Sequence, residues 1–197
     1  MMNTITEILK SVFPADGIYE VILGSNGEKP NLAPIGIIKE GGVLKSKIYM
    51  NTLTFSNLLK QPKCSINIVH DANLFFDAFF DSIEPNSFLD EIPIIEKGIV
   101  LLASCKYKKI ENPTYFFYEI TNYKKYSDCF TAFNRGNSML IDLLVHISRL
   151  DIYSKEEIEK YIPIIKYEIE IIRKTNPSSI KHISKIIEVL TQKGLKI

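Results

Sequence analysis

Gly24-Ser-Asn-Gly-Glu-Lys-Pro-Asn-Leu-Ala-Pro-Ile-Gly36 lies between two apolar runs and reads as a turn that delivers one strand into the next. Its Asn26-Gly27 pair is a strong hairpin signal, because tight turns favour residues that tolerate positive φ. Residues 17–23 before it carry the apolar and aromatic side chains of a strand, and a second strand runs over residues 31–39. Inside that second strand Pro34 removes a ladder donor, and Gly36 lets a neighbour approach the backbone closely. Two readings of residues 31–36 stay open on this segment alone. It is an edge strand with a bulge, or a strand whose main-chain N–H and C=O groups receive a flat ligand.

Further along, Glu40-Gly-Gly-Val43 turns the chain into a third strand, where Leu44, Ser46, Ile48 and Met50 alternate with Lys45, Lys47 and Tyr49. That period of two predicts a half-buried strand. Residues 54–60 form a helical turn stopped by Pro62. The strand over residues 64–70 puts Cys64, Ile66 and Ile68 on one face and Ser65, Asn67 and Val69 on the other. Asp71 caps a short apolar helix over residues 72–80. Residues 81–93, rich in Pro and acid, read as a loop. Two long strands, 99–110 and 114–124, form a hairpin around Glu111-Asn-Pro113. Six strands joined by turns, with no βαβ rhythm, argue for a small antiparallel barrel or sandwich.

Beyond residue 130 the pattern turns helical. Asn134 is the expected N-cap of a helix whose stripe is Leu140, Leu143, Leu144, Ile147 and Leu150. Ser154-Lys-Glu-Glu157 is a capping box for the next helix, which bends at Pro163 and carries Ile158, Ile162, Ile165, Ile169 and Ile172. Asn176-Pro-Ser-Ser179 breaks it, and a last helix runs to Gly194. The expected fold is α+β and mainly β. Residues 1–131 form the barrel domain, and residues 132–197 a helical region packed on the barrel or on a partner.

The 197 residues suit one domain with an elaboration, and 46% hydrophobic with 24% charged residues excludes a disordered chain. No apolar run reaches membrane-helix length, and the N-terminus lacks the apolar core of a signal peptide. A net charge of +1 gives no strong field for nucleic acid or anionic lipid. A cytoplasmic protein is expected. Cys64, Cys105 and Cys129 are odd in number and widely spaced, and His70, His146 and His182 are scattered, so no metal site is expected. Walker, G-x-G-x-x-G, G-x-S-x-G and H-E-x-x-H motifs are absent.

Two further segments place polar groups where strands end and helices begin. In Asn51-Thr-Leu-Thr-Phe-Ser-Asn57, two hydroxyls meet nascent helix N–H donors, an arrangement that suits a phosphate and equally suits simple capping. In Phe133-Asn-Arg-Gly-Asn137, Arg135 sits in a first helical turn, against the helix dipole. The chain has 21 Lys and only 3 Arg, so a guanidinium there points to an anion or an acidic neighbour.

Taken in order, Asn31-Leu-Ala-Pro34, Thr54-Phe-Ser-Asn57-Leu and Cys64-Ser-Ile-Asn67 resemble the flavin-reductase-like FMN-binding split barrels. Phe133-Asn-Arg135 and the helix to Leu150 are most similar to a largely archaeal branch of unassigned role. The resemblance implies a split β-barrel homodimer with FMN near the subunit interface. It implies backbone contacts to the flavin ring from Pro34, Ile35 and Gly36. Asn51, Thr52, Thr54 and Asn57 would hold the ribityl phosphate, Asn67 and Asp71 would line the pocket, and Arg135 would pair with the phosphate. That branch carries Ala where Gly136 stands, which implies a looser helix start here. The implied activity is FMN-dependent oxidoreduction with NAD(P)H. The alternatives are a non-catalytic FMN store, a deazaflavin-binding barrel and a single-stranded nucleic-acid binder; the charge balance disfavours the last.

Overall fold

The Thr4 hydroxyl accepts from the Glu7 amide, and the Glu7 carboxylate accepts from the Thr4 amide at 2.7 Å; this capping box opens helix α1 (Ile5–Val12). The computed structural model describes residues 4–80, 83–127, 131–150 and 152–195. After α1 come β1 (Gly17–Ser25), β2 (Asn31–Glu40), β3 (Val43–Ile48), α2 (Leu53–Lys60), β4 (Lys63–Ile68) and α3 (Ala72–Phe79). Then follow β5 (Ser87–Leu89), β6 (Ile92–Ile94), β7 (Ile99–Tyr107) and β8 (Thr114–Lys125). Helices α4 (Arg135–Arg149), α5 (Lys155–Thr175) and α6 (Ile180–Gln192) complete the chain. Cys129 lies outside the described residues.

Six strands close into a barrel in the order β1-β2-β3-β8-β7-β4. Closure gives every strand of the barrel a neighbour on each side over at least part of its length, which is how small antiparallel sheets limit edge pairing. Its interior is filled by Val21, Leu23, Ile37, Leu44, Ile48, Ile66, Leu101 and Phe116, and α1 adds Ile8 and Val12. Ser46 and Tyr118 bring hydroxyls into this core, and the two are hydrogen-bonded to each other. The predicted alternation holds for Leu44, Ser46 and Ile48, but β3 ends at Ile48 and Met50 is exposed.

The segment read as a loop holds a second, two-stranded sheet, β5 with β6. Its turn residues Asp90 and Glu91 both have positive φ, at 49° and 67°, with no glycine to announce it. Against the outer face of the barrel, Ile22, Leu32, Val69 and Ala78 build a satellite core with Leu74, Phe75, Ile83 and Ile95. β1 and β4 are therefore buried on both faces.

Two compact units result, one of Tyr19–Phe133 with the N-terminal segment, the other of Asn134–Ile197 with Ala15–Ile18. In the second unit Leu143, Leu150, Ile165, Ile169, Ile172, Ile183, Ile186 and Leu190 share one core. The helices bury these side chains among themselves. Leu144 is the member of the predicted stripe left exposed. Asn134 caps α4 by accepting from the Asn137 amide at 3.0 Å, and the Ser154–Glu157 capping box forms as read. Gly136 does not loosen the helix start. A Cβ there would lie 2.6 Å from Thr175 Oγ1 and 2.7 Å from Asn176 Cβ, so glycine admits the end of α5.

Candidate functional site

β2 and β3 pair only where they meet at their turn. Ile38 is opposite Lys45, Lys39 opposite Leu44 and Glu40 opposite Val43, and the paired register stops there. Continued, that register would place Gly36 opposite Lys47 and Pro34 opposite Tyr49. Pro34 has no N–H to offer a partner strand. β3 instead pairs along its length with β8, from Leu44–Tyr118 to Ile48–Thr114. The strands part, and a cavity of about 850 Å³ occupies the gap.

Residues 29–36 form one wall of the cavity and residues 47–49 the other. Asn51, Thr52, Leu53 and Thr54 close one end, while Ala78, Phe79 and residues 83–85 cover it. Six of the residues singled out in the sequence thus come together: Pro34, Ile35, Gly36, Asn51, Thr52 and Thr54. The volume falls in the range of roughly 300–1,000 Å³ usual for small-molecule and cofactor sites.

The end at α2 is polar. Thr52 is its N-cap, accepting from the Phe55 amide at 3.2 Å and donating to the Tyr49 carbonyl at 2.7 Å. Its hydroxyl caps the helix, and the residue also lines the cavity. The Ser56 amide bonds the Thr52 carbonyl, which leaves the first-turn amides of Leu53 and Thr54 without a partner inside the helix. Buried Thr54 accepts from Asn31 Nδ2 at 3.0 Å, joining α2 to the start of β2. Lys29 and Lys47 also line the cavity.

The remaining predicted residues do not line it. Asn57 is fully buried. It accepts from the Glu28 amide at 2.8 Å and donates to Ser25 Oγ at 3.1 Å and to the Lys29 carbonyl at 2.8 Å. It thereby ties down the turn that carries Lys29. Gly27 permits this, since a Cβ there would sit 2.8 Å from the Asn57 carbonyl oxygen. Asn67, also buried, donates to the Ile22 carbonyl and to Ser65 Oγ and accepts from the Ile95 amide at 2.8 Å. Asp71 caps α3 and pairs with Lys97 at 2.7 Å, and this ammonium holds its carboxyl below the usual range. Asn67 and Asp71 anchor the segment that brings α3 and residues 83–85 over the cavity. Arg135 opens α4 in the second unit, where its buried Nε has no hydrogen-bond partner among the described residues.

Sequence reasoning missed Lys29, Lys47, Tyr49, Phe79 and Glu84. Lys47 reads as the solvent-facing phase of an alternating strand, and nothing local marks Glu84. The parting of β2 from β3 turns the outward phase into a cavity wall.

A closed six-strand barrel opened on one flank around such a cavity is a split barrel. The chain belongs to the family described as protein of unknown function DUF447. Its N-terminal domain matches residues 19–127 and its companion region residues 134–189. An FMN-bound protein of Methanosarcina mazei assigned to the same family shares the fold, at 24% identity and a TM-score of 0.56 over 92% of this chain and 100% of its own. An NADH:FAD oxidoreductase from Streptomyces globisporus aligns at 10% identity and a TM-score of 0.48, covering 66% of this chain and 84% of its own. An FMN-binding protein from Thermus thermophilus aligns at 14% identity and a TM-score of 0.45, covering 54% and 71%. No protein among the curated sequences matches the chain. Among the described residues, no helix is long and apolar enough to cross a membrane.

Proposed function

We propose that the chain binds FMN in the cavity between β2 and β3 and acts as an oxidoreductase using NAD(P)H. The observation that carries this reading is the composition of the two ends. A strand that loses its partner at Pro34 and Gly36 leaves main-chain groups for the polar edge of a planar ring. The other end sets the Leu53 and Thr54 amides and the Asn51 side chain in a cavity that Lys29 and Lys47 also line, a donor set that fits a phosphate monoester. Lys29 and Lys47 supply charge, and Asn57 positions Lys29. Bound FMN supplies hydride or single-electron transfer, so the protein needs no acid–base dyad of its own.

A homodimer belongs to the same proposal. Phe76, Phe79 and Phe80 are 63%, 69% and 61% exposed along α3, and Phe79 also lines the cavity. The free, buried thiols of Cys64 and Cys105 support a reducing, cytoplasmic setting.

The test is the visible spectrum of the full chain after FMN is added and the excess removed. Oxidised-flavin bands that stay with the protein are expected, and NADH or NADPH should bleach them without air. Replacing Lys29 and Lys47 together by Ala should weaken FMN at least about tenfold and leave riboflavin, which lacks the phosphate, unaffected. A protein that retains no flavin overturns the reading. Retention without bleaching makes it an FMN carrier instead, and extraction of the native chromophore separates FMN from a deazaflavin.

A further inference from the structure

We propose that Asp142 and His146 of α4 and Glu168 of α5 form a binding site for one divalent transition-metal cation of the Zn²⁺ class. Asp142 and His146 stand four residues apart and share one face of α4. Glu168 faces them from α5, and one donor atom from each residue lies within 4.8 Å of the others. His146 Nε2 and Glu168 Oε1 are 3.5 Å apart, long for a hydrogen bond. That spacing is about the edge of a tetrahedron around a metal with bonds of roughly 2.0–2.2 Å.

A second observation points to a ligand. Glu168 is 1% exposed, and neither of its carboxylate oxygens makes a conventional hydrogen bond among the described residues; the groups it faces are His146 Nε2, at 3.5 Å, and the Asp142 carboxyl. Buried carboxylates without partners are costly, so they are usually paired or coordinate a metal. Here the nearby acid is Asp142, of the same sign, and burial together with that charge pushes the Glu168 carboxyl up to about 7. His146 Nδ1 is likewise buried, with no hydrogen-bond partner among the described residues. One divalent cation would neutralise both carboxylates and bind the Glu168 oxygens that no donor satisfies.

The imidazole is held for the purpose by ring packing. It lies 4.9 Å from the Tyr161 ring, which stacks on Tyr153 at 4.8 Å. Asp142 is exposed, so it can swing onto the metal, and water can fill the remaining positions. Two carboxylates and one imidazole suit Zn²⁺ or Mn²⁺ and disfavour the soft, thiolate-preferring ions. Because both helices belong to one unit, the cation would clamp α4 to α5. The site owes nothing to the flavin reading.

The test uses the full-length chain without a histidine tag, stripped with chelator and titrated with Zn²⁺ by calorimetry at about pH 7.5. One Zn²⁺ per chain is expected, with E168Q and H146A each weakening it by about thirtyfold or more. Gln keeps the volume of Glu and removes the buried charge, so E168Q should fold; its circular dichroism checks this. Zn²⁺ should raise the melting temperature of the parent chain but not that of E168Q. No saturable uptake below about 100 µM would sink the proposal. Parental affinity in E168Q would do the same, since binding would then lie elsewhere.

Discussion

Asn57 and Asn67 resemble ligand contacts in a sequence and are structural knots in the fold. Each is fully buried with its amide engaged at both ends, so truncation would strand several donors and acceptors at about 1–3 kcal/mol apiece. The residue type was readable, but its direction was not, because a strand's inward phase can face the barrel or a covering segment. Glu168 shows the opposite failure. It falls on the helix of the Ile158–Ile172 stripe with no local signal of burial, and in the fold it is buried facing His146 of α4. Its carboxyl, near 4.5 when unfolded, is raised to about 7 by burial and then by Asp142. The folded chain therefore binds the extra proton between those values, and stability falls as pH climbs through that window. In metal-free protein, E168Q should gain on the parent chain by up to about 3 kcal/mol between pH 4 and pH 8. His146 and Asp142 are the titratable groups facing it. Urea melts in chelator across that range check this, and a pH-independent difference would refute it.

Elements were legible where their signals are local. Caps at Asp71, Asn134 and Ser154 all form, and the Gly-Gly turn after β2 leads into β3 as read. The capping box at Thr4 carried the same signal, and α1 shows that it deserved the same weight. The β5–β6 hairpin was hidden because Asp90 and Glu91 fill positions that usually advertise themselves with Asn-Gly or Gly-Gly. The cavity was half legible: Pro34 and Gly36 mark a strand that does not pair normally, but which neighbour leaves is a matter of register. Helix α4 offers a test of sign. Gly→Ala in a helix interior ordinarily stabilises by roughly 1 kcal/mol. At position 136 the new methyl would meet Thr175 Oγ1 and Asn176 Cβ well inside contact distance. Gly136→Ala should therefore destabilise the helical unit by about 1–3 kcal/mol, through overpacking. An unchanged or higher melting temperature would mean that α4 and the end of α5 do not pack this closely.

For the molecule as a whole, the sheet supplies its own closure and the segment from α3 to β6 supplies a second layer. That layer explains why β1 and β4 show no alternation, since one face lines the barrel core and the other the satellite core. It also leaves an aromatic face on α3. Phe76 and Phe80 lie 4.7 Å apart ring to ring, and Phe79 and Phe80 5.0 Å, in one exposed cluster. Monomeric proteins rarely leave contiguous apolar patches of this kind bare. If α3 packs against its symmetry mate, the chain should sediment at twice its 22.5 kDa mass. Phe76 and Phe80 do not line the cavity, so replacing both by Ser tests association without touching its wall. The double variant should sediment as a monomer with its barrel intact by circular dichroism. Because Phe79 belongs to both the aromatic face and the cavity, retention of FMN should fall with dissociation. A variant that stays dimeric would move the interface elsewhere on the surface, and a parent chain that sediments as a monomer would remove it.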